Sequence, residues 1–166
     1  FQALMAMGHE VAAVCPDKVS GEMIATSIHD FEGGQTYTEK RGHNFTLNAS
    51  SADINVTDYD ALYLPGGRSP EYLRLNAEVI KMIQHFANNG KPIASVCHGP
   101  RLLTAAGVIK GREISAYPAC QPEVKMAGAE YINLPMDGAV ADEQFVTAPA
   151  WPPHPAMLMQ FVALLK

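Results

Sequence analysis

Short apolar runs alternate with segments whose apolar residues recur at helical spacing along most of the chain. The opening "FQALMAMGHE" reads as the last turns of an amphipathic helix, with Gly8 as its stop signal. "EVAAVCP" follows as a buried strand ended by Pro16. "EMIATSI" and "HNFTLNA" predict two short strands flanking the polar, Gly-rich "HDFEGGQTYTEKRG", an excursion from the main sheet. "YDALYLPGG" is an apolar strand that stops at Pro65-Gly66-Gly67, and Val79, Ile80, Ile83, Phe86 and Ala87 then mark a helix closed by Gly90. "KPIASV" is another apolar strand, "GPRLLTAAG" a short helix capped by Gly107, and "EISAYP" again strand-like. "AVADEQFVTA" predicts a hairpin, and "HPAMLMQFVALLK" a C-terminal amphipathic helix.

Apolar strands alternating with helices predict an α/β domain whose largely parallel sheet is covered on both faces. No linker, repeat or low-complexity segment interrupts residues 1–166, so one domain is the simplest organisation. In a doubly wound sheet a strand precedes its helix, yet here the helix comes first. The expectation is an N-terminally incomplete domain, lacking a strand and loop of roughly 20 residues.

Composition narrows the function classes. With 48% apolar and 17% charged residues the chain is globular, and a net charge of −5 argues against a nucleic-acid partner. No apolar stretch approaches the roughly 18 residues that would span a bilayer, so no membrane partner is expected. Cys15, Cys97 and Cys120 are too few, and odd in number, for a disulfide framework; they suggest a reducing, cytoplasmic setting. Sequons at Asn44, Asn48 and Asn55 are then chance matches. His29, Asp30, Glu32 and His43 fit no zinc spacing, and no metal is expected. Met5, Met7, Met157 and Met159 lie on amphipathic helices and suit core or interface filling.

The chemistry concentrates in "IASVCHGPR". Cys97 falls where a strand turns into a helix, at the sheet edge where α/β proteins build sites. Helix N–H groups there favour thiolate over thiol. Gly99 permits tight packing behind the turn, as in a nucleophile elbow. His98 could donate its backbone N–H to an oxyanion or use its ring as acid or base, although adjacent side chains at so sharp a turn are expected to point apart. Cys15 lacks this context and reads as strand core; Cys120 reads as a loop or helix start.

The blocks "ALYLPGGRSPEYLRLN" and "GKPIASVCHGPRLLTAAGVIKGREISAYP", spanning roughly residues 58–118, closely resemble the DJ-1/PfpI family. "HDFEGGQTYTEKRGHNFTLNA" and "TAPAWPPHP" look most like its plant DJ-1D glyoxalase III type and bacterial relatives. The resemblance implies a flavodoxin-like three-layer α/β/α sandwich with a nucleophile elbow. It implies Cys97 as nucleophile, His98 as its neighbour, and an oxyanion-hole loop at Gly66 and Gly67. Glu71 would reach a neighbouring subunit's histidine. Tyr117, Trp151 and His154 would border the substrate pocket. The family's second glutamate, at the end of its first strand, has no counterpart in this numbering.

The implied activity is a cofactor-free glyoxalase converting methylglyoxal or glyoxal to lactate or glycolate. A PfpI-type cysteine peptidase using Cys97, His98 and Glu71 is the alternative chemistry. A redox sensor or chaperone oxidised at Cys97 is the non-catalytic alternative. A homo-oligomer is expected, since a trans role for Glu71 requires one.

Overall fold

The computed structural model describes residues 1–30 and 38–165, so Glu32 and half of the Gly-rich excursion lie outside it. The chain divides into two compact units, residues 1–55 and 56–166.

In the first unit, α1 (Gln2–Ala6) ends ahead of Gly8, whose φ of 92° halts the helix as expected. β1 (Met23–Asp30) pairs antiparallel with β2 (Thr38–Thr46), from Met23 opposite Thr46 to Asp30 opposite Thr38. The strand expected at 10–16 does not form. The Asn48 side chain takes up this backbone instead, accepting from the Ala13 N–H and donating to the Val11 carbonyl, both at 2.7 Å. An apolar run becomes a strand only beside a ladder, and the two-stranded sheet of this unit closes within residues 23–46. Cys15 is accordingly half-buried in irregular chain rather than in a strand. His29 pairs with Glu39 at 3.1 Å, and no group of three or more His, Cys, Asp or Glu among the described residues can hold a metal.

The second unit is α/β. Its elements are β3 (Leu62–Leu64), α2 (Ser69–Leu73), α3 (Ala77–Asn88), β4 (Ile93–Val96), α4 (Pro100–Ala106), β5 (Glu113–Ile114), α5 (Gln121–Met126), β6 (Glu130–Tyr131), β7 (Val140–Asp142), β8 (Phe145–Ala148) and α6 (His154–Ala163). The main sheet runs β3-β4-β8-β7, parallel except for β7, which forms the expected hairpin with β8. Every residue of β4 and β8 is buried, as strands covered on both faces must be. Asn76 caps α3 by accepting from the N–H groups of Glu78 and Val79.

Alternation along the strands assigns the layers. Ser95 abuts Gly99, at the start of α4, and therefore faces α4. Ala94 faces the other way, as does Tyr63, its register partner in β3. Tyr63 meets His154 and Phe161 of α6. The sheet thus lies between α4, with α3 beside it, and α6: a flavodoxin-like sandwich.

"EISAYP" yields only two strand residues, paired with β6. The Ser115 N–H donates to Thr147 Oγ1 and the Glu113 N–H to Asp142 Oδ2, each at 2.9 Å. Side-chain oxygens of β7 and β8 take the place of ladder carbonyls there. β6 lies outside the sequence expectations, while α5, starting directly after Cys120, realises the helix-start alternative for that residue. Met157 is fully buried, whereas Met5, Met7 and Met159 are exposed rather than core. No helix among the described residues is long and apolar enough to cross a membrane.

Candidate active site

β4 ends at Val96 and α4 begins at Pro100, leaving three residues to reverse the chain. Cys97 takes φ 60°, a left-handed conformation that costs a non-glycine residue of order 1–3 kcal/mol. Two backbone bonds hold it there. The Cys97 N–H donates to the Ala148 carbonyl of β8, and its carbonyl accepts the Tyr117 N–H, both at 2.9 Å. The neighbouring glycines admit no side chain. A Cβ on Gly66 would lie 2.6 Å from the Cys97 Cβ, and one on Gly99 would lie 2.8 Å from the Leu64 carbonyl and 2.9 Å from that of Val96. β3, β4 and α4 are therefore in near-contact under the cysteine.

Cys97 is 7% exposed, and the backbone N–H groups of Gly67 and His98 favour the charged form of its sulfur. These donors also suit an oxyanion formed at the sulfur's substrate. Cys97 Sγ and His98 Nδ1 are 3.4 Å apart, so the two side chains meet instead of pointing apart. The left-handed turn at Cys97 is what brings them to one side. The His98 ring stacks on Tyr117, centroids 4.9 Å apart and planes 24° from parallel. Cys97, His98, Tyr117, Gly66 and Gly67 thus come together.

The thiol is not pre-ionised. Burial pushes the Cys97 thiol up, and the two N–H donors only partly oppose it. The expected thiolate preference from helix N–H groups is outweighed because a sulfur with so little contact with water loses more in desolvation. Below the unfolded thiol's pKa, keeping Cys97 neutral is fully stabilising; that contribution is lost as pH rises through the higher folded-state value. Alkylation of Cys97 by iodoacetamide should accordingly climb about tenfold per unit from pH 7 to pH 9. A rate already flat at pH 7, read on the Cys97 peptide by mass spectrometry, would show a thiolate at neutrality.

The other expected residues are engaged by partners of their own. Glu71, in the first turn of α2, accepts from Arg101 Nη1 at 2.7 Å, while Arg101 Nε donates to Glu123 at 2.8 Å. Glu123 also pairs with Arg74 at 2.7 Å, which ties α2, α4 and α5 together. Within this chain Glu71 serves as an ion-pair partner of Arg101. His154 is likewise engaged, by Tyr63 and by the Trp151 backbone. Trp151 lies beyond β8, 40% exposed. Cys120 closes a 3-10 turn directly before α5, buried, with its thiol pushed up to about 12 chiefly by burial. Sequence reasoning missed Arg101, Glu123 and Tyr63. Their partners lie 22 to 91 residues away, so no local pattern marks them.

The DJ-1/PfpI family model matches residues 1–164. The chain belongs to the DJ-1/PfpI family. This DJ-1/PfpI chain is 49% identical over 166 residues to Protein DJ-1 homolog D of Arabidopsis thaliana, covering 99% of itself and 43% of that protein. It is 36% identical over 143 residues to Deglycase PfpI of Pyrococcus furiosus, covering 84% of itself and 81% of the relative. It spans about two-fifths of the length of the Arabidopsis proteins it matches. Among solved structures it resembles a two-domain protein from Anabaena variabilis with DJ-1/ThiJ/PfpI-like and ferritin-like domains. The TM-score is 0.73 at 22% identity, over 98% of this chain and 42% of the other, a likeness of fold.

Proposed function

We propose that this protein is a cofactor-free glyoxalase acting on methylglyoxal and glyoxal through Cys97. The observation that carries the reading is the strained, buried Cys97, with the Gly67 and His98 N–H groups and the His98 ring on one sulfur. Similarity to relatives named DJ-1 homolog D and deglycase supports it.

A thiol held neutral must lose its proton as it attacks, and His98 Nδ1 is within reach to take it. The sulfur adds to the aldehyde carbon, and the N–H pair receives the oxyanion of the resulting hemithioacetal. The aldehyde proton moves to the neighbouring carbon through an enediol, leaving a lactoyl thioester on Cys97. Water cleaves the thioester, releasing lactate and the thiol, so methylglyoxal plus water balances to lactic acid. Glu71, paired with Arg101 in this chain, gives less support to a peptidase that needs its carboxylate elsewhere.

Incubation with methylglyoxal in the absence of glutathione tests the proposal: lactate should accumulate. Cleavage of a fluorogenic peptide that is lost in Glu71→Ala, without lactate, would replace it with the peptidase. Oxygen gained at Cys97 under peroxide, with aldehydes untouched, would replace it with a redox sensor.

A further inference from the structure

We infer that Arg101 and Glu71 are positioning residues whose ion pair holds the Gly67 backbone N–H at the Cys97 sulfur. This deepens the glyoxalase reading and rests on Cys97 being the reacting group there. The two backbone donors at Cys97 come from separate elements. His98 belongs to the turn into α4, while Gly67 lies in the loop from β3 to α2. That loop comes close to the nucleophile: a Cβ on Gly66 would lie 3.5 Å from Cys97 Sγ as well as 2.6 Å from its Cβ. Its own anchorage is slight. α2 starts without a side-chain cap, and Ser69 Oγ reaches the Gly66 carbonyl only at 3.4 Å.

The ion pair supplies the anchor. Arg101 stands four residues after Cys97, and Glu71 four after Gly67. The Arg101 N–H donates to the His98 carbonyl at 3.1 Å, and the Glu71 N–H to the Arg68 carbonyl at 3.0 Å. Joining the two side chains at 2.7 Å therefore fastens the Gly67 loop to the turn that carries Cys97. The guanidinium is itself held, because its Nε donates to Glu123, which also accepts from Arg74 and from Thr104 Oγ1. Arg74, just past α2, keeps that end of the helix on Glu123 whether or not Glu71 is present. Removing Glu71 thus loosens the loop end and spares the rest. Neither Arg101 nor Glu71 need touch substrate.

Alkylation of Cys97 by iodoacetamide at about pH 8, read on the Cys97 peptide, tests the inference without turnover. An N–H donor favours thiolate, so a loosened Gly67 leaves less of it. Glu71→Ala and Arg101→Met should each slow alkylation about three- to tenfold, part of the worth of one hydrogen bond to a charged atom. Glu71→Gln keeps an oxygen for Arg101 Nη1 and should stay within about twofold of the parent. The titratable neighbours His98, Tyr117 and Cys120 remain in place in every variant. A field effect of the lost charges would act differently: both Glu71 variants would alkylate faster, and Arg101→Met slower. That pattern overturns the inference. So do unchanged rates in variants with unaltered circular dichroism, or a loss in Glu71→Ala that a folded Arg101→Met does not share. Equal rates in the two Glu71 variants, which carry the same charge, overturn it even if Arg101→Met does not fold. With methylglyoxal, Glu71→Ala should lower kcat about tenfold and leave KM within about twofold, since the oxyanion forms only after binding. A parent protein inert toward methylglyoxal sinks the glyoxalase reading alone, and the alkylation contrast stands apart from it.

Discussion

Cys97→Ser should lower methylglyoxal turnover by about a thousandfold or more while leaving the fold intact, because a serine hydroxyl is a far weaker nucleophile than a thiol. The substitution is nearly isosteric. Serine can keep the hydrogen bond to His98 Nδ1, accept from the Gly67 and His98 N–H groups, and occupy the same left-handed turn. Ground-state geometry therefore survives, and the loss falls on bond formation to the aldehyde carbon. Thermal denaturation should move little, since no cavity opens and no donor is orphaned. Equal activity in the serine variant would mean that the turn at residue 97 is structural and the chemistry lies elsewhere.

Gly99→Ala should be the most damaging substitution for the fold. Its Cβ would sit 2.5 Å from Ser95 Oγ, 2.8 Å from the Leu64 carbonyl and 2.9 Å from the Val96 carbonyl. A hydroxyl can rotate away; two backbone carbonyls in hydrogen-bonded strands cannot. Separating β3, β4 and α4 enough to admit the methyl should cost at least about 3 kcal/mol. That corresponds to roughly 6–12 °C in Tm for a chain of this size. Gly66→Ala meets the Cys97 Cβ at 2.6 Å and the Val96 carbonyl at 2.9 Å, so its damage is aimed at the nucleophile. It should lower activity more than stability, whereas Gly99→Ala should lower both. Calorimetry and turnover of the two variants check the contrast; a Gly99→Ala protein with unchanged Tm would contradict the close approach.

The strand–elbow–helix from Ile93 to Ala106 was readable because its signals are local. Four small apolar residues, a Cys-His-Gly turn, Pro100 at the helix start and Gly107 at its end each act within a few residues. The hairpin of β7 and β8 and the helix α3 were readable for the same reason. What depends on partners was not. "EVAAVCP" has a strand's pattern but no ladder among the described residues of its unit, and the Asn48 side chain satisfies its backbone instead. "EISAYP" has the pattern too, yet Thr147 and Asp142 bond it through side chains, so the strand is short. At the site, the residue types were legible and their electrostatics were not. The opposition between burial and N–H donors at Cys97 depends on how deeply the sulfur sits, and the pairing of Glu71 with Arg101 on how α2 meets α4. Tyr63 looked like one more apolar strand residue, because its partner is 91 positions away.

Whether Cys97 carries the carbonyl chemistry without a cofactor is decided by one side-by-side assay. The protein and its Cys97→Ser variant are given methylglyoxal with no glutathione and no added metal, and lactate is followed by proton NMR. Lactate should form steadily with the protein and not above the buffer rate with the variant. Lactate formed equally by both, or by neither, would contradict that role for Cys97.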